Sequence, residues 1–370
     1  MDFANAEATH TTLQEAELGL PYTEHYMESV SYGRLDVEFV PHHAWLRSER
    51  GYEEFVTTNQ LNNQAVNSAA VSHAIDLAAP SFDFADIDTV MVVLAGNHFG
   101  GGGFAHPSIT TGQGTWPSAL INSGHLGEER IPYQWGSVAA HELTHNLGLP
   151  DLYPYDSAHA RPDAPDGQTW VATEWGRMNV WAYFLASQHD PRLAHDWTYP
   201  DGVVTTSHRR HLRIEEMLAW SRWQLGWLAD DQVHCVSEDD LSGGMSVTLS
   251  PLAQPGDGIA MVAVPLNAHQ VLVAESRRKL GYDAGRFFEA DDTGATTTFP
   301  RLITEGVLVY TVDTFIGSGE LPVKVAGDSG NGQVDEFPLL EPGEGVSLRG
   351  YTITLTADDG DTHTVLIEKQ

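Results

Sequence analysis

The chain has 370 residues, with 51 Asp and Glu against 19 Lys and Arg, a formal charge of -32 at pH 7. A surface this acidic repels nucleic acid and anionic membranes, and suits solubility in salt or the binding of cations. The composition, 41% hydrophobic and 19% charged, is that of a globular protein, and the length favours two domains over one.

The first twenty residues, MDFANAEATHTTLQEAELGL, are polar and acidic. They lack the basic and apolar regions of an export signal and are expected to form a flexible segment, residues 1–20. RLDVEFV, Arg34 to Val40, alternates like a strand, and the alanine-rich run Asn59 to Ala79 predicts a helix ending before Pro80. The apolar run Thr89 to Gly96 predicts a buried strand, and NHFGGGGFAHP, Asn97 to Pro107, a flexible loop. Its glycines lack the spacing of a phosphate cradle. A later segment, Ile214 to Leu228, carries Met217, Leu218, Trp220, Trp223, Leu225 and Trp227 at helical spacing. From about Val233 short apolar runs alternate with Gly, Pro, Asn and Asp, which predicts an all-β domain over 233–370. The single cysteine, Cys235, excludes an intrachain disulfide and reads as structural. No run approaches the roughly 18 apolar residues of a membrane span.

Chemistry concentrates in VAAHELTHNLGLPDLY, Val138 to Tyr153. On a helix, His141 and His145 share one face, and two imidazoles at that spacing can bind zinc. Glu142, beside them, is the candidate general base that deprotonates metal-bound water. Gly148 and Pro150 end the helix and turn the chain. In HExxHxxGxxH enzymes such a turn presents a third ligand. The corresponding residue here is Asp151, which can bind zinc or merely hold the turn. Glu215 or Glu216, on the following predicted helix, is the alternative ligand.

HELTHNLGLPDLY resembles the zinc motif of the immune inhibitor A family of metallopeptidases. Tyr26 to Val40, Met217 to Leu228 and Val271 to Asp313 are similar, in the same order, to further stretches of that family. The resemblance implies an α+β fold: a zincin-like catalytic domain over 20–232, followed by a sandwich-like β domain. It implies His141 and His145 as zinc ligands, Glu142 as catalytic base, hydrolysis of protein or peptide substrates, calcium sites and secretion. Met178 falls where the family has a methionine turn, although Asn179, Val180 and Trp181 follow it here. Thr144 replaces a glycine common between the two histidines.

Other candidates are weaker. Asp328, Asn331, Asp335 and Glu336 surround two glycines and suit calcium or an acidic turn; Asp291 and Asp292 carry less. His98 and His106 flank the glycine run, and Tyr153 or Tyr183 could donate to an oxyanion. The expected function is a zinc endopeptidase. A catalytically inactive peptidase-like binding protein and a zinc amidase acting on a cell-wall peptide are the alternatives. No nucleic-acid or membrane partner is expected.

Overall fold

A computed structural model describes residues 1–8, 11–55, 64–95, 102–122, 134–153, 169–171, 178, 195–198, 204–207, 216–237, 239–241, 243–284, 305–327 and 339–370. The protein is a mixed α+β chain, rich in sheet with few helices, and β-rich toward its C-terminus. It divides into two compact units, Met1–Leu149 and Pro150–Gln370. No described helix is long and apolar enough to cross a membrane.

The first unit runs β1 (Asp2–Phe3), α1 (Thr12–Val30), β2 (Arg47–Ser48), α2 (Gln64–Ala78), β3 (Val90–Leu94), β4 (Gly102–Thr110), β5 (Thr115–Asn122) and α3 (Gln134–Asn146). Of the first twenty residues, 1–8 and 11–20 are described, and they carry β1 and the start of α1. Thr11 caps α1: its hydroxyl accepts the Gln14 N–H, and the Gln14 side chain accepts the Thr11 N–H. Phe3 is fully buried against Tyr52. On α1, Gln14 and Glu17 are exposed. Its inner face buries Tyr22, Tyr26, Met27 and Val30.

RLDVEFV alternates as expected, with Leu35, Val37 and Phe39 half-buried and Asp36, Glu38 and Val40 exposed. It nevertheless pairs with no strand among the described residues. Residues 35–40 line a cavity of about 710 Å³, together with Val90 and Val92 of β3. Alternation specifies which side is buried, whereas a strand also needs a partner edge.

Three strands form the sheet in the order β3-β5-β4, with β5 parallel to β3 and antiparallel to β4. The glycine run is therefore loop only in expectation from Gly102 onward, because Gly102 pairs with Asn122 and Gly103 with Ile121. The core of the unit joins Ala70, Val71 and Ile75 of α2 to Val92, Leu94, Trp116 and Leu120 of the sheet. Helix α3 packs against α1, β4 and β5. The Thr23 hydroxyl of α1 donates to the Gly136 carbonyl at 3.0 Å, tying the two helices at their crossing.

The second unit contains β6 (Thr169–Val171), β7 (His195–Thr198), β8 (Val204–Ser207), α4 (Ala219–Gln224), β9 (Val233–Cys235), β10 (Met245–Leu249), β11 (Met261–Pro265) and β12 (Gln270–Arg277). It continues through β13 (Gly306–Asp313), β14 (Val323–Gly327), β15 (Leu339–Leu340), β16 (Gly345–Leu348), β17 (Tyr351–Asp358) and β18 (His363–Lys369). One sheet has the order β6-β14-β13-β12-β11-β9, with β15 also on β13; another has the order β10-β18-β17-β16. Both contribute to one apolar core: Val262, Val264, Leu272 and Val309 from the first, and Leu249, Ile353, Leu355, Val365 and Ile367 from the second. Two sheets sharing a core form a sandwich-like arrangement. β6 belongs to this sheet although it precedes Val233, so the β-rich unit recruits chain from before the change in sequence character.

Helix α4 is shorter than the predicted Ile214 to Leu228. Its chain turns after Gln224, where the Trp227 N–H reaches back to the Arg222 carbonyl. Trp227 is buried, but the indole N–H of Trp223 donates to Asp230 at an exposed position. Cys235 is also exposed, at the end of β9, rather than packed as a structural thiol.

Candidate metal centre

Helix α3 ends by a local device that its sequence spells out. The Gly148 N–H donates to the His145 carbonyl and the Leu149 N–H to the Thr144 carbonyl. Gly148 has φ +103°, a left-handed conformation that a side chain would strain. This is the paired closure of a Schellman turn. Thr144, where the family carries glycine, is fully buried; its hydroxyl donates to the Ala140 carbonyl at 2.7 Å and touches the Met27 sulfur.

The turn brings His141, His145 and Asp151 together, each offering one ligand atom within 4.8 Å of the others. All three lie within the eleven residues from His141 to Asp151, so continuity of the chain assembles the group. His141 and Asp151 are buried, and His145 is half-buried. The imidazole planes meet nearly at right angles, at 88°, with centroids 4.7 Å apart.

The histidine tautomers follow from their partners. His145 Nδ1 lies 2.7 Å from the Leu149 carbonyl oxygen. A carbonyl only accepts, so Nδ1 carries the proton and Nε2 of the neutral ring is a lone pair. That Nε2 faces the Nε2 of His141 at 3.1 Å. Two nitrogens bound to one tetrahedral zinc at about 2.0–2.1 Å would be about 3.3 Å apart. The spacing and the chemistry of two nitrogens with a carboxylate therefore fit zinc, and fit the harder cation calcium poorly.

Asp151 is held from outside the turn. Its N–H donates to the Ser318 hydroxyl at 2.9 Å, and the next N–H, of Leu152, donates to the Met178 carbonyl at 2.9 Å. Met178 is itself buried, so its backbone supports the segment that carries Asp151. Ser318 had no signal in the sequence. It stands 167 residues from Asp151 along the chain, and no local pattern links them.

Glu142 is buried beside the histidines. β4 crosses the same face of α3: a Cβ built on Gly103 would meet Glu142 and Val138. His106, also on β4, is buried, with Nδ1 3.4 Å from the Ser68 hydroxyl. Burial holds its pKa below the usual histidine value.

Glu216, the alternative ligand, has both carboxylate oxygens engaged elsewhere. One pairs with the buried guanidinium of Arg222, and the other accepts the Tyr282 N–H at 2.9 Å. The group of possible metal ligands among the described residues does not include it. Glu215, the calcium candidates Asp328, Asn331, Asp335 and Glu336, and Asp291, Asp292, His98 and Tyr183 lie outside the described residues. Tyr153 is described and half-buried.

No protein-family model matches the chain, and no curated protein matches it.

Proposed function

We propose that the protein is a zinc-dependent endopeptidase with a zincin-like catalytic region, as its resemblance to the immune inhibitor A family implies. The observation that carries this reading is the convergence of His141, His145 and Asp151, with Glu142 on the same helix. His141 Nε2, His145 Nε2 and the Asp151 carboxylate would hold the metal. When bound, zinc supplies a Lewis acid that polarises a carbonyl and lowers the pKa of water toward about 7.

The chain's own residues do the remaining work. Leu149 fixes the His145 tautomer, leaving Nε2 as a donor of electrons. Ser318 and Met178 hold the segment bearing Asp151. Glu142 takes the proton from the attacking water and returns it to the leaving amine, so one carboxylate serves as base and then acid. Among the described residues β4 pairs only with β5. An extended peptide that paired with the other edge of β4 would meet backbone N–H and C=O groups there, in keeping with a peptide as substrate.

The test incubates zinc-loaded protein with casein and, in parallel, with peptidoglycan fragments. Cleavage of casein by the wild type, and its loss in Glu142→Ala, is the expected result. Cleavage of the cell-wall fragments alone would transfer the chemistry to an amidase. Zinc binding without turnover of either substrate would mark a binding protein.

A further inference from the structure

Gly103, near the start of β4, has no role in the site described so far. The backbone conformation at Gly103 does not require glycine, since its φ lies outside the left-handed region. Its surroundings do. A Cβ on Gly103 would lie 2.6 Å from Glu142 Cγ, 2.8 Å from Glu142 Oε1 and 2.7 Å from Val138 Cγ1. Carbon atoms in contact prefer about 3.5–4.0 Å, so a single methyl cannot fit without displacing something.

Neither obvious escape is open without cost. Gly103 pairs with Ile121, a fully buried residue of the central strand β5, which opposes lifting β4 from the helix. Val138 is 1% exposed and β-branched, so its rotamer is stiff. The group able to yield is the Glu142 side chain, and its carboxylate would leave the place where it works.

We infer that Gly103 is a positioning residue for Glu142: the bare backbone of β4 forms the wall that sets the reach and direction of the base. This rests on the endopeptidase reading above for its catalytic meaning, but not for the contact itself. At Gly103 the bare backbone of β4 lies against the Glu142 side chain.

The experiment has two arms. In the first, Gly103→Ala is assayed on a peptide that the wild type cleaves. Misplacing a catalytic group by about 1 Å costs about 10²-fold, so kcat should fall by about that factor, with KM and zinc affinity within about threefold of the wild type. Gly103→Ala/Val138→Ala, which relieves the second contact, should not restore kcat. Unchanged kcat, recovery in the double variant, or a parallel loss of zinc affinity would overturn the inference.

The second arm needs no activity. Urea midpoints of the metal-free proteins are compared for Gly103→Ala in the wild type and in Glu142→Ala. The shift should be smaller where the glutamate side chain is gone, and equal shifts would overturn the contact. If Gly103→Ala alone does not fold, both arms are run in the Val138→Ala background. Should the wild type cleave nothing, the endopeptidase reading fails, while the midpoint comparison still decides whether Gly103 confines Glu142.

Discussion

Two regions of this protein bury several ionisable groups each, and they resolve the cost in different ways. Around Arg277 the charges answer one another. Its guanidinium donates to both Asp283 oxygens, at 2.6 and 2.7 Å, and to Glu275 at 2.9 Å. Glu275 in turn accepts the Ala219 N–H and the Tyr310 hydroxyl. Glu216 joins Arg222 nearby in the same unit. The Arg277 charge is answered by two carboxylates within hydrogen-bond reach, as a buried structural network requires. In the turn from His141 to Asp151 the groups that converge are two imidazole nitrogens and a carboxylate, all electron-pair donors to a cation. The first arrangement joins opposite charges; the second brings together groups that could hold a cation. Burial alone does not separate the two regions; the chemistry of the groups each brings together does.

The most severe way to break this comparison is at the base. Glu142→Ala should lower kcat by about 10³-fold, within the range for general acid–base groups, and leave zinc binding intact. Steady-state kinetics with measured zinc content checks both halves, and retained turnover would remove Glu142 from the mechanism.

A paired substitution sharpens the contrast between the two regions. Asp151→Ala should weaken zinc binding by at least about 10²-fold, since it removes one of three ligands. Glu216→Gln should leave zinc affinity unchanged yet destabilise the fold by about 3–5 kcal/mol, because it strands the buried Arg222 charge. Chelator competition and urea denaturation read the two effects, and the opposite pattern would make Glu216 the ligand. A smaller effect is expected at Ser318. Ser318→Ala should reduce zinc affinity by about tenfold, the lower end for groups that orient ligands, with Ser318→Thr retaining more.

The smallest effect concerns pH. His363 is fully buried, with Nδ1 2.8 Å from the Ser276 hydroxyl. Burial first, and the Arg278 charge second, hold its pKa below the ordinary 6.5. The unfolded chain therefore takes up this proton at higher pH than the folded one. The stability contribution is full above the unfolded value and is lost as pH falls through it toward the folded pKa. Urea midpoints should decline between about pH 7.5 and 5 in the wild type, and less steeply in His363→Asn. Equal slopes would show that His363 does not carry this dependence.

Much of the candidate site was legible because it is local. Spacing four residues apart, a glycine at the helix end and a proline beyond it describe α3 and its turn without distant information. Asp151 follows from the same turn. The supports are not local: Ser318 reaches Asp151 from a far segment, and Gly103 meets Glu142 only once β4 lies across α3. The fold shows the same division. β3 and α2 fall where periodicity placed them, and the C-terminal strands follow their turn residues. Residues 34–40 alternate without pairing to any strand among the described residues, and α4 is cut short by a turn that its tryptophan spacing does not reveal. A periodic pattern records which side chains are covered, while pairing and termination depend on what the rest of the chain brings alongside.

The central claim is that His141, His145 and Asp151 together hold a zinc ion. An anomalous-difference map recorded above and below the zinc absorption edge, from crystals grown with zinc, tests it most directly. The expected result is a single strong peak between the Nε2 atoms of His141 and His145 and the Asp151 carboxylate, about 2.0–2.2 Å from each. No peak there, or a peak whose third ligand is another carboxylate, would contradict it.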